Sequence, residues 1–369
     1  MGPVGPVGPV RPSHQVPLAP YTTLGLGGPA ATLLAPDTES GLVDAVRAAD
    51  ERGEPLLVLG GGSNVVIADE GFPGPVVRVA TRGVTVSPAG DDAVTVTVAA
   101  GESWDDVVAR CVAEDLAGLE CLSGIPGLAG ATPIQNVGAY GQEVAGTIVS
   151  VRAWDRARAV IATIPAADCG FGYRSSRFKR DGRHVVLAVT FRLTRGPRSA
   201  PVRYPDLATE LGVAPGDRVP LGEARSAVLK VRARKGMVLD AGDPDSRSAG
   251  SFFTNPVLTD AEFKILAENF RASAPGQAGA QHPVPHYPAG PGQVKVPAAW
   301  LIERAGFARG HQGPGPAPAR ISTKHTLALV NPGGATTAGL LALAREIQDG
   351  VRRTFGVSLD IEPVLAGPA

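Results

Sequence analysis

The chain has 369 residues, 44 % of them hydrophobic, which suits two or three globular units at roughly 150 residues each. Its 35 Lys and Arg balance 35 Asp and Glu, so no global field draws it to nucleic acid or inserts it into a membrane, and an anionic ligand has to be recognised locally. Cys111, Cys121 and Cys169 lack metal-like spacing, so no metal site is expected; they cannot all pair, which fits a reduced, cytoplasmic setting.

Residues 2–10 repeat GPV three times, with no charged segment ahead of an apolar one, so residues 1–14 read as a low-complexity, disordered tail rather than a secretory signal. From Tyr21 to Pro29 the chain has turn chemistry. Thr38 can cap a helix carrying Leu42, Val43 and Val46 on one face and ending at Gly53. Pro55 to Leu59 and Val65 to Ile67 read as strands flanking the turn Gly60-Gly61-Gly62-Ser63-Asn64. That turn matches neither the Rossmann fingerprint nor the P-loop, because the chain leaves it as a strand and not as a helix. Two readings stay open, a phosphate cradle built from backbone N–H groups and an ordinary hairpin.

Valine-rich strands come next, at 76–79, 84–86 and 94–98. Ser103 and Asp106 mark a helix start, and Trp104, Val107, Val108 and Cys111 share its inner face, so Cys111 is a core residue. Between Glu120 and Glu143 there is no charged side chain. Glycines 124, 127, 130, 138 and 141, with Pro126 and Pro133, exclude a spanning helix. The stretch reads as successive tight turns whose N–H groups face something buried and polar, and Gln135 and Asn136 add amides able to read a heterocycle. Strands are expected within 147–164, around a turn at Asp155, and at 184–193.

Composition shifts after Arg195. Helices are predicted at 223–234, at 259–270 with a capping box of Thr259 and Glu262, at 297–304 and at 336–355. Residues 272–292 and 310–319 read as Pro/Gly-rich surface insertions without secondary structure, 326–330 as a strand, and 359–362 as a last strand. Domains are placed at 15–200 and 201–369, and the fold class is α+β.

Three constellations could carry chemistry. Tyr173 to Arg180 is a basic run, either a solvated loop or a local anion site. Ser251, in SAGSFFTNP, reads as a turn entering a buried strand; if it is chemical, it gives a proton rather than attacks. Alternation puts Glu362 opposite Leu359 and Ile361, on a solvent-facing side.

The motifs TTLGLGG, LGGGSN, GIPGLAGATPIQNVGAYGQE, GYRSSRFK, AGSFFTNP, QVKVPAAWLIERAGF and the late Glu362, in this order from Tyr21 onward, resemble the UDP-N-acetylenolpyruvoylglucosamine reductase family of peptidoglycan precursor synthesis. The resemblance implies an FAD-binding fold of the vanillyl-alcohol-oxidase type, holding FAD non-covalently, followed by a smaller substrate domain whose end returns Glu362 to the flavin. It implies cofactor contacts from Gly60, Gly61, Gly62, Ser63 and Asn64, and from Ile125, Pro126, Gly127, Gly130, Ala131, Thr132, Gln135, Asn136, Gly138 and Gly141. Tyr204, Lys235, Asn255 and Lys295 match substrate-binding positions, although an acidic segment (Asp240, Asp243, Asp245) separates Lys235 from Ser251. NADPH is the implied reductant and UDP-N-acetylenolpyruvoylglucosamine the implied substrate, acted on by a monomer. Arg174 and Glu362 would stabilise charge growing on the substrate carboxylate, with Glu362 buried and protonated or sharing a proton, while Ser251 acts as general acid.

The alternatives are an FAD-linked oxidase of the same fold and a non-catalytic UDP-sugar or flavin-binding protein. An oxidase often tethers its flavin through histidine, and neither glycine-rich stretch contains one.

Overall fold

The computed structural model describes residues 12–179, 182–273 and 283–368; the GPV triplets, Arg180 of the basic run and the middle of the 272–292 insertion lie outside them. A six-stranded antiparallel sheet runs in the order Val160–Pro165, Ile148–Asp155, His184–Arg195, Ala93–Ala99, Val84–Pro88, with the short Leu116–Ala117 also paired to His184–Arg195. Beside it, a four-stranded sheet orders Ser13–Pro17, Pro29–Leu34, Phe72–Arg78 and Leu57–Leu59, antiparallel only in the first pair. Period-two alternation turns Val94, Val96 and Val98 inward, where they meet Leu42 and Val46 of the helix Glu39–Glu51 and Trp104 and Val108 of the helix Trp104–Ala113. Cys111 lies in this core, and burial pushes its thiol up to about 12, as expected of a packing residue.

The rear half has two three-stranded antiparallel sheets, Ser248–Ser251 with Ala328–Val330 and Arg320–Ile321, and Val257–Thr259 with Gln293–Lys295 and Tyr287–Gly290. Helices Asp260–Ser273, Ala298–Arg304 and Thr337–Phe355 share a core that also takes Leu24, Leu26 and Val66 from the front of the chain. Two of the expected start signals hold, and a third cap appears at Thr336. Thr38 accepts the Gly41 N–H at 3.1 Å and Thr336 that of Gly339 at 3.0 Å, while Thr259 and Glu262 bond each other's backbone N–H.

Four local readings are corrected. Ser103 starts its helix without a side-chain cap. The 272–292 insertion contributes the strand Tyr287–Gly290, because the edge of Gln293–Lys295 offers it backbone partners. The last strand is Val364–Ala366, parallel to Val65–Ile67, and not 359–362, of which Ile361 makes an isolated bridge to Phe253. The hairpin reading of Gly60–Asn64 fails, since the strand before it pairs with Phe72–Arg78 and the strand after it with Val364–Ala366. The turn carries the chain between two sheets.

A fully buried carboxylate anchors the start of the uncharged stretch. Glu120 accepts the Gly118 N–H at 2.7 Å, the Gln142 Nε2–H at 2.9 Å and the Ala200 N–H at 2.6 Å. Glu120→Ala strands three half-buried donors and should lower stability by about 2 kcal/mol. Chemical denaturation checks this, and Glu120→Gln, which keeps one acceptor oxygen, should cost less.

Candidate active site

The two glycine-rich stretches meet back to back. A Cβ on Gly61 would sit 2.6 Å from the Gly127 Cα, and one on Gly127 would sit 2.7 Å from Ser63 Oγ, so only glycine permits the approach. Gly62 gives its carbonyl to the Thr23 N–H at 3.1 Å and Asn64 gives its own to Val364 at 3.0 Å. Among the described residues, the N–H groups of Gly61, Gly62, Ser63 and Asn64 donate no hydrogen bond within the chain. Gly60, Gly61 and Leu128 line a cavity of about 450 Å³ with Thr22, Arg78 and Arg247. The unused Gly61 donor beside arginines in a cavity of this size, with three more unused donors following it in the turn, suits a dinucleotide's phosphates.

The rest of the uncharged stretch turns toward the chemistry. Asn136, Tyr140 and Arg174 all have positive φ, at 47°, 48° and 49°. L side chains rarely adopt that backbone, and such strain gathers at functional sites. Arg174 is held there because Gly172 and Ser175 bond each other across it, at 3.0 and 3.3 Å. Its guanidinium donates to the Gly138 carbonyl at 2.9 Å, and its Nε lies 3.4 Å from Glu362 Oε1. Arg174 of the basic run thus turns inward to Glu362, while Tyr173, Ser175 and Arg177 stay exposed.

Glu362 is not solvent-facing. Its side chain is 11 % exposed, its Oε1 accepts from Gln135 Nε2 at 3.1 Å, and Gln135 Oε1 accepts from Asn64 Nδ2 at 2.9 Å. Burial raises the Glu362 pKa above the usual carboxylate range, against the opposing pull of Arg174, Lys179 and Gln135. The Glu362 N–H bonds the Phe252 carbonyl at 2.9 Å, which brings Ser251, one residue earlier, alongside it in backbone terms. The strand Ser248–Ser251 fixes Ser251 opposite Ala328.

The four positions matched to substrate fall into two groups. Asn255 accepts the Ala298 N–H at 2.9 Å at the start of a helix, and Lys295 places its ammonium 4.4 Å from the Tyr173 ring centroid. Tyr204 packs edge-on against Tyr140 at 5.3 Å, and Lys235 pairs with Asp206 at 3.0 Å. The segment from Gly138 to Tyr140 lies between the groups, joined to the first through Arg174 and to the second through Tyr140.

Other side chains of the site have weaker sequence signals. Tyr173, the aromatic residue in a basic run, touches both Lys295 and Arg174. Arg232 is buried, donates to the Met237 carbonyl at 2.7 Å, and leaves its Nε without a partner. His325 is held neutral, its pKa lowered to about 4 by burial and by Lys235, Arg309 and Arg232 around it. Its Nδ1 accepts the Leu327 N–H at 3.1 Å, so its proton is on Nε2. No single-residue pattern marks these two.

Residues 243–366 match the family model described as UDP-N-acetylenolpyruvoylglucosamine reductase, C-terminal domain, and residues 30–162 the one described as FAD binding domain. The UDP-N-acetylenolpyruvoylglucosamine reductase of Thermobifida fusca is 55 % identical over 355 residues, covering 96 % of this chain and 98 % of that one. The chain belongs to the UDP-N-acetylenolpyruvoylglucosamine reductase family. A relative of the same description from Streptomyces coelicolor is 56 % identical over 358 residues, covering 96 % of this chain and 90 % of its own. The crystal structure of the reductase from Thermus caldophilus superposes with a TM-score of 0.63 at 26 % identity, covering 97 % of this chain and 98 % of that one. The α+β reading and the FAD-binding fold are borne out, and this member of the reductase family is an FAD-binding oxidoreductase. The cavity and the four unused N–H groups of the 60–64 turn fit that cofactor. Among the described residues no helix is long and apolar enough to cross a membrane, and no group of His, Cys, Asp and Glu is placed to hold a metal ion.

Proposed function

We propose that the chain reduces the enolpyruvyl group of UDP-N-acetylenolpyruvoylglucosamine to give UDP-N-acetylmuramate, with NADPH as reductant, and that Arg174, Glu362 and Ser251 are its catalytic residues. The observation that carries this is Glu362, buried against Arg174 at 3.4 Å and bonded to Gln135 across 227 residues of sequence. Bound FAD supplies the hydride chemistry between NADPH and the enolpyruvyl carbon.

Hydride arriving next to a carboxylate drives negative charge onto that carboxylate. Arg174 is the fixed cation for that charge, held in place by its own strained turn and by the Gly138 carbonyl. Glu362, with its pKa raised, can face an anionic substrate as a proton-bearing acid where an ionised carboxylate would repel it. Ser251 Oγ delivers the proton to the neighbouring carbon. Gly61 to Asn64 hold the dinucleotide through their unused backbone donors, while the turns from Ile125 to Gly141 line it, the N–H groups at 129–132, 134, 136 and 137 being used within the chain. Tyr204, Lys235, Asn255 and Lys295 bind the UDP-sugar, with Tyr173 and His325 beside them.

In this reading residues 15–200 form the cofactor domain and 201–369 the substrate domain of a cytoplasmic monomer. An anaerobic experiment tests the activity. The protein is reduced with NADPH, UDP-N-acetylenolpyruvoylglucosamine is added, and the flavin should be reoxidised with one muramate product formed per flavin. A flavin that stays reduced rejects the proposal.

A further inference from the structure

We propose that Gln135 is a positioning residue that confines the proton of Glu362 to Oε2, and that Asn64 of the cofactor turn holds the Gln135 amide in the orientation this needs. The inference rests on the reading that Glu362 serves the reaction.

A primary amide has one accepting end and one donating end. Asn64 Nδ2 lies 2.9 Å from Gln135 Oε1, which occupies the accepting end and turns Nε2 to Glu362 Oε1 at 3.1 Å. Arg174 Nε stands 3.4 Å from that same oxygen. A hydrogen-bond donor and a cation then converge on Oε1, where a carboxyl O–H would meet a donor and a positive charge and no acceptor. A proton on Glu362 therefore resides on Oε2. With the amide reversed, its carbonyl would face Oε1 and invite the proton there, on the side of the protein and away from the substrate.

The cofactor turn is tied to this carboxyl a second time, through backbone. The Asn64 carbonyl accepts the N–H of Val364, two residues beyond Glu362, at 3.0 Å. One residue thus fixes both the segment that carries Glu362 and the amide that orients its proton. The charged and titratable groups acting on Glu362 are Arg174, Lys179 and Tyr173, with exposed Asp360 on its own segment. Arg174, Lys179 and Gln135 favour its ionised form, and burial opposes them.

Difference infrared spectroscopy of the FAD-loaded protein, with Glu362→Gln as the blank, reads the titration and carbonyl hydrogen bonding of Glu362 directly. Gln135→Leu removes one donor to the ionised form, so the titration should move up by about one pH unit, and the alkaline limb of kcat should move with it. Asn64→Asp presents an acceptor to Gln135 and should reverse its amide, raising the titration further and shifting the carboxyl C=O band as the proton passes to Oε1. A Glu362 titration unmoved in Gln135→Leu overturns the proposal. Should that variant fail to fold or to hold FAD, an unmoved titration and an unchanged band in Asn64→Asp overturn it equally. Full turnover of Glu362→Gln at every pH would instead reject the catalytic role of Glu362, leaving the infrared titration to judge Gln135 by itself.

Discussion

Ser251→Ala is expected to bind FAD and keep its yellow colour, to be reduced by NADPH at a near-normal rate, and to lose about a thousandfold in reoxidation by the enolpyruvyl substrate. The two halves separate because Ser251 is remote in role from the cofactor turn. It follows Gly250 at the end of a strand and precedes Phe252, whose carbonyl holds the Glu362 backbone. Removing one hydroxyl from a partly exposed position leaves that frame in place. Stopped-flow measurement of each half-reaction decides the matter, and near-normal reoxidation would remove Ser251 from the mechanism. Solvent deuterium incorporation gives a second readout, since a water that replaces the hydroxyl could deliver the proton without fixed facial selectivity.

Glu362→Gln should lower substrate-dependent turnover by about a hundredfold or more while leaving the FAD content unchanged. The substitution keeps the shape and a donor but cannot ionise. In the proposed mechanism the useful form is protonated, so activity should fall as pH rises through the raised pKa of Glu362, and Glu362→Gln should lack that limb. The same displacement has a stability consequence of definite sign. A carboxyl whose folded pKa lies above its unfolded one binds its proton more tightly when native, so its contribution to stability declines as pH climbs from the ordinary carboxylate range through the raised value. Thermal unfolding of the two proteins across that range should converge at acid pH and separate above it. A limb that survives in Glu362→Gln would assign the titration to another group.

Much of the local structure was legible in the sequence because it depends on neighbours in the chain. Thr38, Thr336 and the Thr259–Glu262 pair begin helices through side-chain bonds spanning three residues, and Gly356 ends one at φ 73°. The burial of Cys111 comes from its helical spacing with Trp104, Val107 and Val108. The motif order from TTLGLGG to Glu362 was enough to suggest the family, and the relatives bear it out.

Pattern by itself misplaced Glu362. Alternation does set it apart from buried Leu359, but the opposite side of this segment faces Gln135 and Arg174 instead of water. A period-two pattern says which residues share a side and not what covers that side. The turn at Gly60–Asn64 shows the same limit, since its flanking strands find partners at 76–78 and 364–366, the second of them far along the chain. By itself the sequence determined most of the helices, though not Pro205–Leu211 or the cap at Ser103, together with the core cysteine and the amides and cations available for chemistry. Only the tertiary structure decided that Asn64, Gln135, Arg174 and Glu362 form one chain of contacts, because strand pairing and burial join residues that no local spacing connects.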